Sequence, residues 1–237
     1  MKTSARSLSL FAGAVALAAL VTGCATATSP SAGQAPSSSK ISADAAPRAA
    51  WLDASSFVIA TRSDDGCAPT ITDIVAGDQR IDVTLAPGAG EECAAEAASA
   101  HGTYLGVPAG LDSSRPMTIA VTEHGGEASL IELPGLAGGE IAPADRMPPQ
   151  LPAAAWIGDD ELAVLTWGSS TCVPTAGVVD GDAIVLDEPL DGVCTMDLVP
   201  RITFVPAEGV AADAELTLSG YTDEAGEPVV LTPVPRA

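Results

Sequence analysis

The chain contains the stretch WLDASSFVIATRSDDGCAPT at Trp51–Thr70 and a related stretch, WIGDDELAVLTWGSSTCVPT, at Trp156–Thr175. The two stretches align without a gap, and Trp, Thr, Cys, Pro and Thr coincide. Further matches keep the same order: Cys93 with Cys194, Val107 with Val205, and Gly126 with Gly226. Self-similarity at a nearly fixed spacing is typical of a duplicated unit. The sequence therefore predicts two homologous units, 49–136 and 154–237, joined by a connector at 137–153 that is rich in Pro, Gly and Ala.

Each unit has the periodicity of short strands. The apolar residues alternate with polar ones or are β-branched, and turn residues separate the runs. The predicted strands are Phe57–Thr61, Ile71–Val75, Ile81–Leu85, Thr103–Val107, Met117–Thr122 and Ser129–Leu133, then Leu162–Thr166, Gly177–Val179, Ala183–Leu186, Ile202–Val205, Glu215–Leu218 and Pro228–Leu231. The pair Asp180-Gly181 predicts a tight hairpin in the second unit. We expect an all-β fold made of two tandem β-sandwich-like units.

Five cysteines are present, so at least one of them cannot form a disulfide within the chain. If Cys24 is modified, four cysteines remain, and repetition favours one bond inside each unit. That criterion predicts the pairs Cys67 with Cys93 and Cys172 with Cys194. A cysteine metal site is the alternative, but the chain has no CxxC pair and no histidine cluster of the kind that zinc uses.

The first residues have the pattern of an export signal. Lys2 and Arg6 precede an apolar run, Leu8–Leu20, which is shorter than the roughly 20 residues of a membrane-spanning helix. The run ends in Val21-Thr22-Gly23-Cys24, which resembles the lipobox of bacterial lipoproteins. The resemblance implies that residues 1–23 are removed and that Cys24 carries the lipid. The alternative is an ordinary secretory signal with an incidental cysteine.

Residues 24–48 are predicted to form a disordered tether, because Ser, Ala and Pro dominate and almost nothing can be buried. The chain carries 10 Lys and Arg against 31 Asp and Glu, a net charge of −21. Phosphate binding requires clustered basic residues, so a nucleic-acid partner is excluded. We expect a protein attached through lipid to the extracytoplasmic face of a bacterial membrane, with the acidic domain held clear of the headgroups.

The segment Trp167-Gly168-Ser169-Ser170-Thr171-Cys172 resembles a motif of small actinobacterial lipoproteins that also contain a Pro-Arg pair, here Pro200-Arg201. No established activity accompanies this resemblance. Trp167, Ser169, Ser170 and Arg201 are the candidate ligand patch, with the indole stacking on a sugar or peptide and the hydroxyls forming hydrogen bonds. The competing interpretation is structural: the indole packs over the disulfide, a Ser/Thr turn follows, and Arg201 pairs with a carboxylate of its own unit.

Three functions are compatible with these patterns. The first is a non-enzymatic binding or structural role at the cell envelope, with an envelope protein or wall polymer as partner. The second is a substrate-binding lipoprotein of a transport system, and the third is an envelope hydrolase that uses carboxylates. We predict no catalytic residues, metal or cofactor, although Asp180–Asp182 and Asp187–Asp191 leave calcium open. The sequence carries no signal for an oligomeric state.

Overall fold

The computed structural model describes residues 46–63, 66–88, 99–123, 125–137, 150–189 and 193–236. Within these ranges the chain forms strands and no helix, which confirms the predicted all-β class. No described segment is an apolar helix long enough to cross a membrane. The predicted signal peptide, Cys24 and most of the predicted tether lie outside the described residues.

Seven strands belong to the first half of the chain and seven to the second. The first seven are β1 (Arg48–Asp53), β2 (Ser56–Ser63), β3 (Thr70–Gly77), β4 (Arg80–Ala86), β5 (Ser99–Gly106), β6 (Met117–Glu123) and β7 (Ser129–Leu133). The last seven are β8 (Ala153–Trp156), β9 (Glu161–Gly168), β10 (Gly177–Asp180), β11 (Ala183–Leu186), β12 (Val199–Pro206), β13 (Leu216–Thr222) and β14 (Pro228–Leu231).

The strands form four sheets. Sheet I has the order β1-β2-β5 and sheet II the order β3-β4-β6-β7, while sheet III has the order β8-β9-β12 and sheet IV the order β10-β11-β13-β14. Pairing is antiparallel except between β4 and β6 and between β11 and β13. The first half and the second half thus share one strand order. That the halves are homologous remains a prediction.

Three hydrophobic cores hold the sheets together as layers. One core lies between sheets I and II and includes Phe57, Ile59 and Met117. A second lies between sheets III and IV and includes Leu162 and Val164. The third joins sheet I to sheet III, and its members include several alanines: Ala50, Ala60, Ala155 and Ala163. The order of layers is therefore II, I, III, IV, with the two three-stranded sheets inside.

The central strands β2 and β9 are apolar on both faces because each lies between two cores. In β2, Phe57 and Ile59 enter the core with sheet II, while Val58 and Ala60 enter the core with sheet III. Successive side chains of a strand point to opposite faces, so a strand covered on both sides needs an unbroken apolar run. FVIA in β2 and LAVL in β9 meet this need.

Trp51 and Trp156 occupy matching places in β1 and β8, and both are buried. The Nε1 of Trp51 donates a hydrogen bond to the carbonyl of Pro134 at 2.7 Å, and that of Trp156 donates to the carbonyl of Ala212 at 3.1 Å. A buried indole needs such a partner for its N–H group. Both tryptophans are therefore packing residues.

Two predicted boundaries need correction. Arg48, assigned to the tether, is the first residue of β1, and Ala153, assigned to the connector, is the first residue of β8. Arg48 also joins the halves, because its Nη2 lies 2.7 Å from Oε2 of Glu161 and its Nη1 donates to the carbonyl of Ile157 at 3.2 Å. Most of the connector lies outside the described residues.

The predicted hairpin at Asp180-Gly181 is confirmed, with Asp180 paired to Ala183. Of its two loop residues Gly181 has a positive φ, 64°, which glycine adopts without steric cost. In the first half the β3–β4 turn uses Gln79 at φ 49°. The Gln79 side chain accepts a hydrogen bond from the Asp112 amide at 2.8 Å and donates to the Asp112 carbonyl at 2.9 Å, which offsets the cost of the left-handed backbone.

Replacing Gln79 with alanine is expected to lower the free energy of unfolding by about 2 kcal/mol, because the hydrogen bonds are lost while the left-handed strain remains. Gln79→Gly loses the same bonds but removes the strain, so we expect about 1 kcal/mol. Urea unfolding followed by tryptophan fluorescence measures both. Equal losses for the two variants would contradict the assignment of strain at this residue.

Candidate functional site

Cys172 and Cys194 form a disulfide, with 5.4 Å between their Cα atoms, which confirms the predicted pair in the second half. Cys67 is buried and is also disulfide-bonded. Cys93, its predicted partner, lies outside the described residues. The Cys172–Cys194 bond joins the loop that follows β9 to the loop that precedes β12, and the predicted Ser/Thr motif lies directly before it.

Hydroxyl groups connect the same two loops next to the disulfide. The Oγ of Ser169 lies 2.8 Å from Oγ1 of Thr195 and 3.1 Å from Oγ1 of Thr171. The Thr171 amide donates to Oγ of Ser169 at 3.2 Å, and the Thr195 amide donates to Oγ1 of Thr171 at 3.1 Å. The first of these amide contacts is a Ser/Thr turn, as predicted. The hydroxyl groups of this motif are therefore engaged with each other.

Asp197 completes this cluster. Its Oδ1 accepts a hydrogen bond from the Ser170 amide at 3.1 Å and another from the Thr195 hydroxyl. Hydrogen bonds from Ser170 and then from Thr195 lower the pKa of Asp197 from 3.8 to about 2, since both favour the carboxylate. The charged form of Asp197 thus helps to fix both loops.

Because the folded pKa of Asp197 lies below its unfolded value, its contribution is complete above about pH 4 and is lost as the pH falls through about 2. We expect an NMR titration of the Asp197 carboxyl carbon to give a midpoint near 2. In Thr195→Val one donor is lost, and the midpoint should rise toward 3.8. A wild-type midpoint already at 3.8 would contradict this arrangement.

Arg201 contacts the disulfide loop at Cys172 and is buried, with 6% of its side chain exposed. Its Nη1 donates to the Cys172 carbonyl at 2.7 Å, and its Nε donates to Oγ1 of Thr166 at 3.3 Å. Its Nη2 lies 2.9 Å from the Tyr221 hydroxyl and 3.2 Å from Oε1 of Glu188. A buried cation is stable only when it is paired and hydrogen-bonded, and these acceptors meet that need.

Gly168 makes room for the guanidinium group. A Cβ atom at this position would lie 2.6 Å from Cζ of Arg201, so any side chain would displace the arginine. The glycine of the Trp-Gly-Ser-Ser motif is thus explained by close packing. The predicted ion pair between Arg201 and a carboxylate of its own unit is confirmed, and that carboxylate is Glu188.

An open pocket of about 360 Å³ borders this network, lined by Leu186, Glu188, Arg201, Ser219, Gly220 and Tyr221. Burial, and then the hydrogen bond that Tyr221 donates to Glu188, raise the pKa of the Tyr221 hydroxyl. The phenol therefore remains protonated at neutral pH and acts as a donor. The sequence does not predict that Tyr221 and Glu188 contact Arg201. Thr166 is the member of this network that the sequence marks, because it coincides with Thr61 in the alignment.

Trp167 does not share a face with Arg201. In the register of sheet III, Arg201 lies opposite Thr166, whereas Trp167 lies opposite Pro200. The Trp167 ring packs edge-on against Tyr104 of the first half at 5.5 Å between ring centroids, and its Nε1 donates to the Leu151 carbonyl at 3.2 Å. Its packing partner is therefore Tyr104 and not the predicted disulfide. The structure brings Ser169 and Ser170 together and places Trp167 and Arg201 on opposite sides of the sheet.

His101 of the first half holds the place that Arg201 holds in the second. His101 lies opposite Thr61 in sheet I, as Arg201 lies opposite Thr166 in sheet III. The Nε2 of His101 lies 2.9 Å from Oγ of Ser63, which replaces Gly168 in the alignment. A Ser–His contact is the geometry of an activated nucleophile, but Ser63 is buried. We interpret the pair as the smaller counterpart of the Arg201 network.

Metal ligands are not assembled in the described ranges, since no three His, Cys, Asp or Glu side chains there come close enough to hold an ion. Asp180 and Asp182 flank Gly181 in the β10–β11 hairpin, and Asp191 lies outside the described residues. No family model matches the chain, and no curated protein or solved structure matches it.

Proposed function

We propose that this protein is a lipid-anchored protein of the extracytoplasmic face of a bacterial membrane, where it has a non-enzymatic binding or structural role at the envelope. The observation that carries the proposal is the Cys172–Cys194 disulfide. Such bonds persist in oxidising compartments and are rare in the cytosol. An export signal that ends in Val21-Thr22-Gly23-Cys24 agrees with that compartment.

The polar residues of the second half support a structural role for the Trp-Gly-Ser-Ser motif. Arg201 directs its donors to four acceptors of its own chain, and Ser169, Thr171 and Thr195 bond to each other. Groups that are already paired internally hold two loops and a disulfide in place. A partner would therefore bind at a surface whose backbone or apolar groups have no partner within the chain's described residues.

Cys24→Ala is expected to abolish lipid attachment, because the acylated thiol is removed. Metabolic labelling with palmitate, combined with detergent phase partitioning, measures attachment: the wild-type chain should be labelled and enter the detergent phase, and the variant should do neither. Ser29→Ala, in the same predicted tether, is the matched control and should behave as wild type. An unlabelled wild-type chain released into the medium would overturn the lipid anchor.

A further inference from the structure

Strand β3 is an exposed edge of sheet II. Its one neighbour in the sheet is β4, and every residue of Thr70–Gly77 is exposed. Among the described strands only β4 packs closely against it. An edge strand presents a row of backbone N–H and carbonyl groups that can pair with another chain.

The side chains of β3 make this edge apolar. Ile71 is 37% exposed, Ile74 41% and Val75 53%. Ile71 and Ile74 lie opposite Leu85 and Val83, which face the core with sheet I, so β3 extends that apolar face beyond the covered part of the sandwich. Exposed edges are normally protected by lysine, proline, short length or a β-bulge. Strand β3 contains no lysine or proline and spans 8 positions. Its register with β4 shifts once, between Ile71 and Asp73, and is regular from Asp73 to Gly77.

The corresponding edge of the second half is protected. Strand β10 has 4 residues, its first residue Gly177 is buried, and it packs against β12. The last strand of the same sheet, β14, begins with Pro228. Two sheets with the same strand order therefore differ at this edge, and the long exposed version occurs only in sheet II.

We propose that β3 binds an extended segment of a partner protein, which adds to sheet II as a further strand and is basic with apolar residues at alternate positions. This proposal rests on the proposed binding role at the envelope and names its partner class. Charge favours such a segment, because the chain has a net charge of −21 and Asp73 is the only charged residue of β3. A second copy of this chain would bring two strongly acidic surfaces together, which repulsion opposes.

An added strand would use both the backbone groups and the exposed side chains of β3. Main-chain hydrogen bonds to β3 provide affinity, and the alternating side chains provide specificity. Apolar residues of the segment cover Ile71 and Ile74 on one face. On the other face, basic residues lie near Asp73, which shares that face with Val75 according to the register with β4.

The test uses the full lipidated chain in detergent with the synthetic peptide KVTVKVTVK, capped at both ends. We expect binding by fluorescence anisotropy, with hydrogen-exchange protection at residues 70–77. Val75→Lys should weaken binding at least tenfold through repulsion. Val230→Lys is the matched control, because Val230 is 55% exposed on β14 and its replacement adds the same charge; it should leave binding unchanged.

Two further peptides separate strand addition from simple attraction to an acidic surface. The peptide EVTVEVTVE should bind at least tenfold more weakly. A KVTVKVTVK peptide methylated on every interior backbone nitrogen keeps its charge but has no N–H donor on either edge, so it should not protect residues 70–77. Equal binding of the methylated peptide, protection elsewhere, equal effects of the two lysine variants, or a dimer paired through β3 would each overturn the proposal. The palmitate labelling of Cys24 is independent of these outcomes.

Discussion

Gly102→Ile is expected to lower the free energy of unfolding by about 3 kcal/mol, because sheets I and III meet at this residue without room for a side chain. A Cβ atom at position 102 would lie 2.2 Å from Cγ2 of Ile202 and 2.4 Å from its Cβ. The backbone of β5 or β12 must then move, and the shift propagates into the alanine-rich core between the sheets. Urea unfolding monitored by tryptophan fluorescence measures the loss.

The double variant Gly102→Ile/Ile202→Gly is the control, because it tests whether the loss comes from the contact between positions 102 and 202. Gly102 lies opposite Ala60, and Ile202 lies opposite Leu165. Ala60 and Leu165 coincide in the alignment of the two stretches, so the predicted repeat makes the two positions that touch equivalent. Exchanging their residues should restore most of the lost stability. We expect the double variant to remain about 1 kcal/mol below the wild type in free energy of unfolding, because the neighbouring side chains must repack. If the double variant is no more stable than Gly102→Ile, the two halves are not equivalent at this contact.

Alternation of apolar residues located the strands because most of them have one face on a core and one toward solvent. The runs Ile81–Leu85 and Ser129–Leu133 fall inside or coincide with β4 and β7. Strands β1 and β8 were missed, since RAAWLD and AAAW are rich in alanine, which has little strand preference. Their conformation comes from pairing with β2 and β9 and from burial, and neither is a local property.

The stacking of sheet I on sheet III is a tertiary feature that the sequence shows only indirectly. The runs FVIA and LAVL indicate burial on both faces, but periodicity does not identify what covers the second face. For the same reason the partner of Trp167 was predicted within its own half. Tyr104 belongs to the first half, and the two rings meet only because the two sheets pack together.

The sequence predicts an ion pair for Arg201, but it does not identify the residues that contact the guanidinium group. An ion pair with a carboxylate of its own unit is the structural interpretation of Arg201, and Glu188 supplies that carboxylate. Tyr221 escaped prediction because strand β13 continues past Leu218 to Thr222 through Gly220, which has φ 82° and lies in an irregular stretch of the register. An apolar alternation pattern ends at such a point, whereas the strand does not.

Removing the second disulfide is the other change with a large expected effect. The double variant Cys172→Ser/Cys194→Ser should lower the free energy of unfolding by about 3 kcal/mol, because a bond across 22 residues of sequence restricts the unfolded chain. The variant is preferable to a reductant, since Cys67 is disulfide-bonded as well. Thermal unfolding under oxidising conditions measures the loss.

The effect should reach beyond the two loops, because the Cys172 carbonyl accepts a hydrogen bond from Arg201 at 2.7 Å. When this loop loosens, the buried guanidinium loses one acceptor, and we expect faster hydrogen exchange near Thr166 and Tyr221 as well as in the loops. Ser169→Ala is the matched control: it removes a hydroxyl contact between the same loops, and it should cost about 1 kcal/mol or less without changing exchange at Tyr221. An unchanged unfolding midpoint in the double variant would mean that the hydroxyl cluster alone holds these loops, and that the covalent bond adds nothing to the stability of the second half.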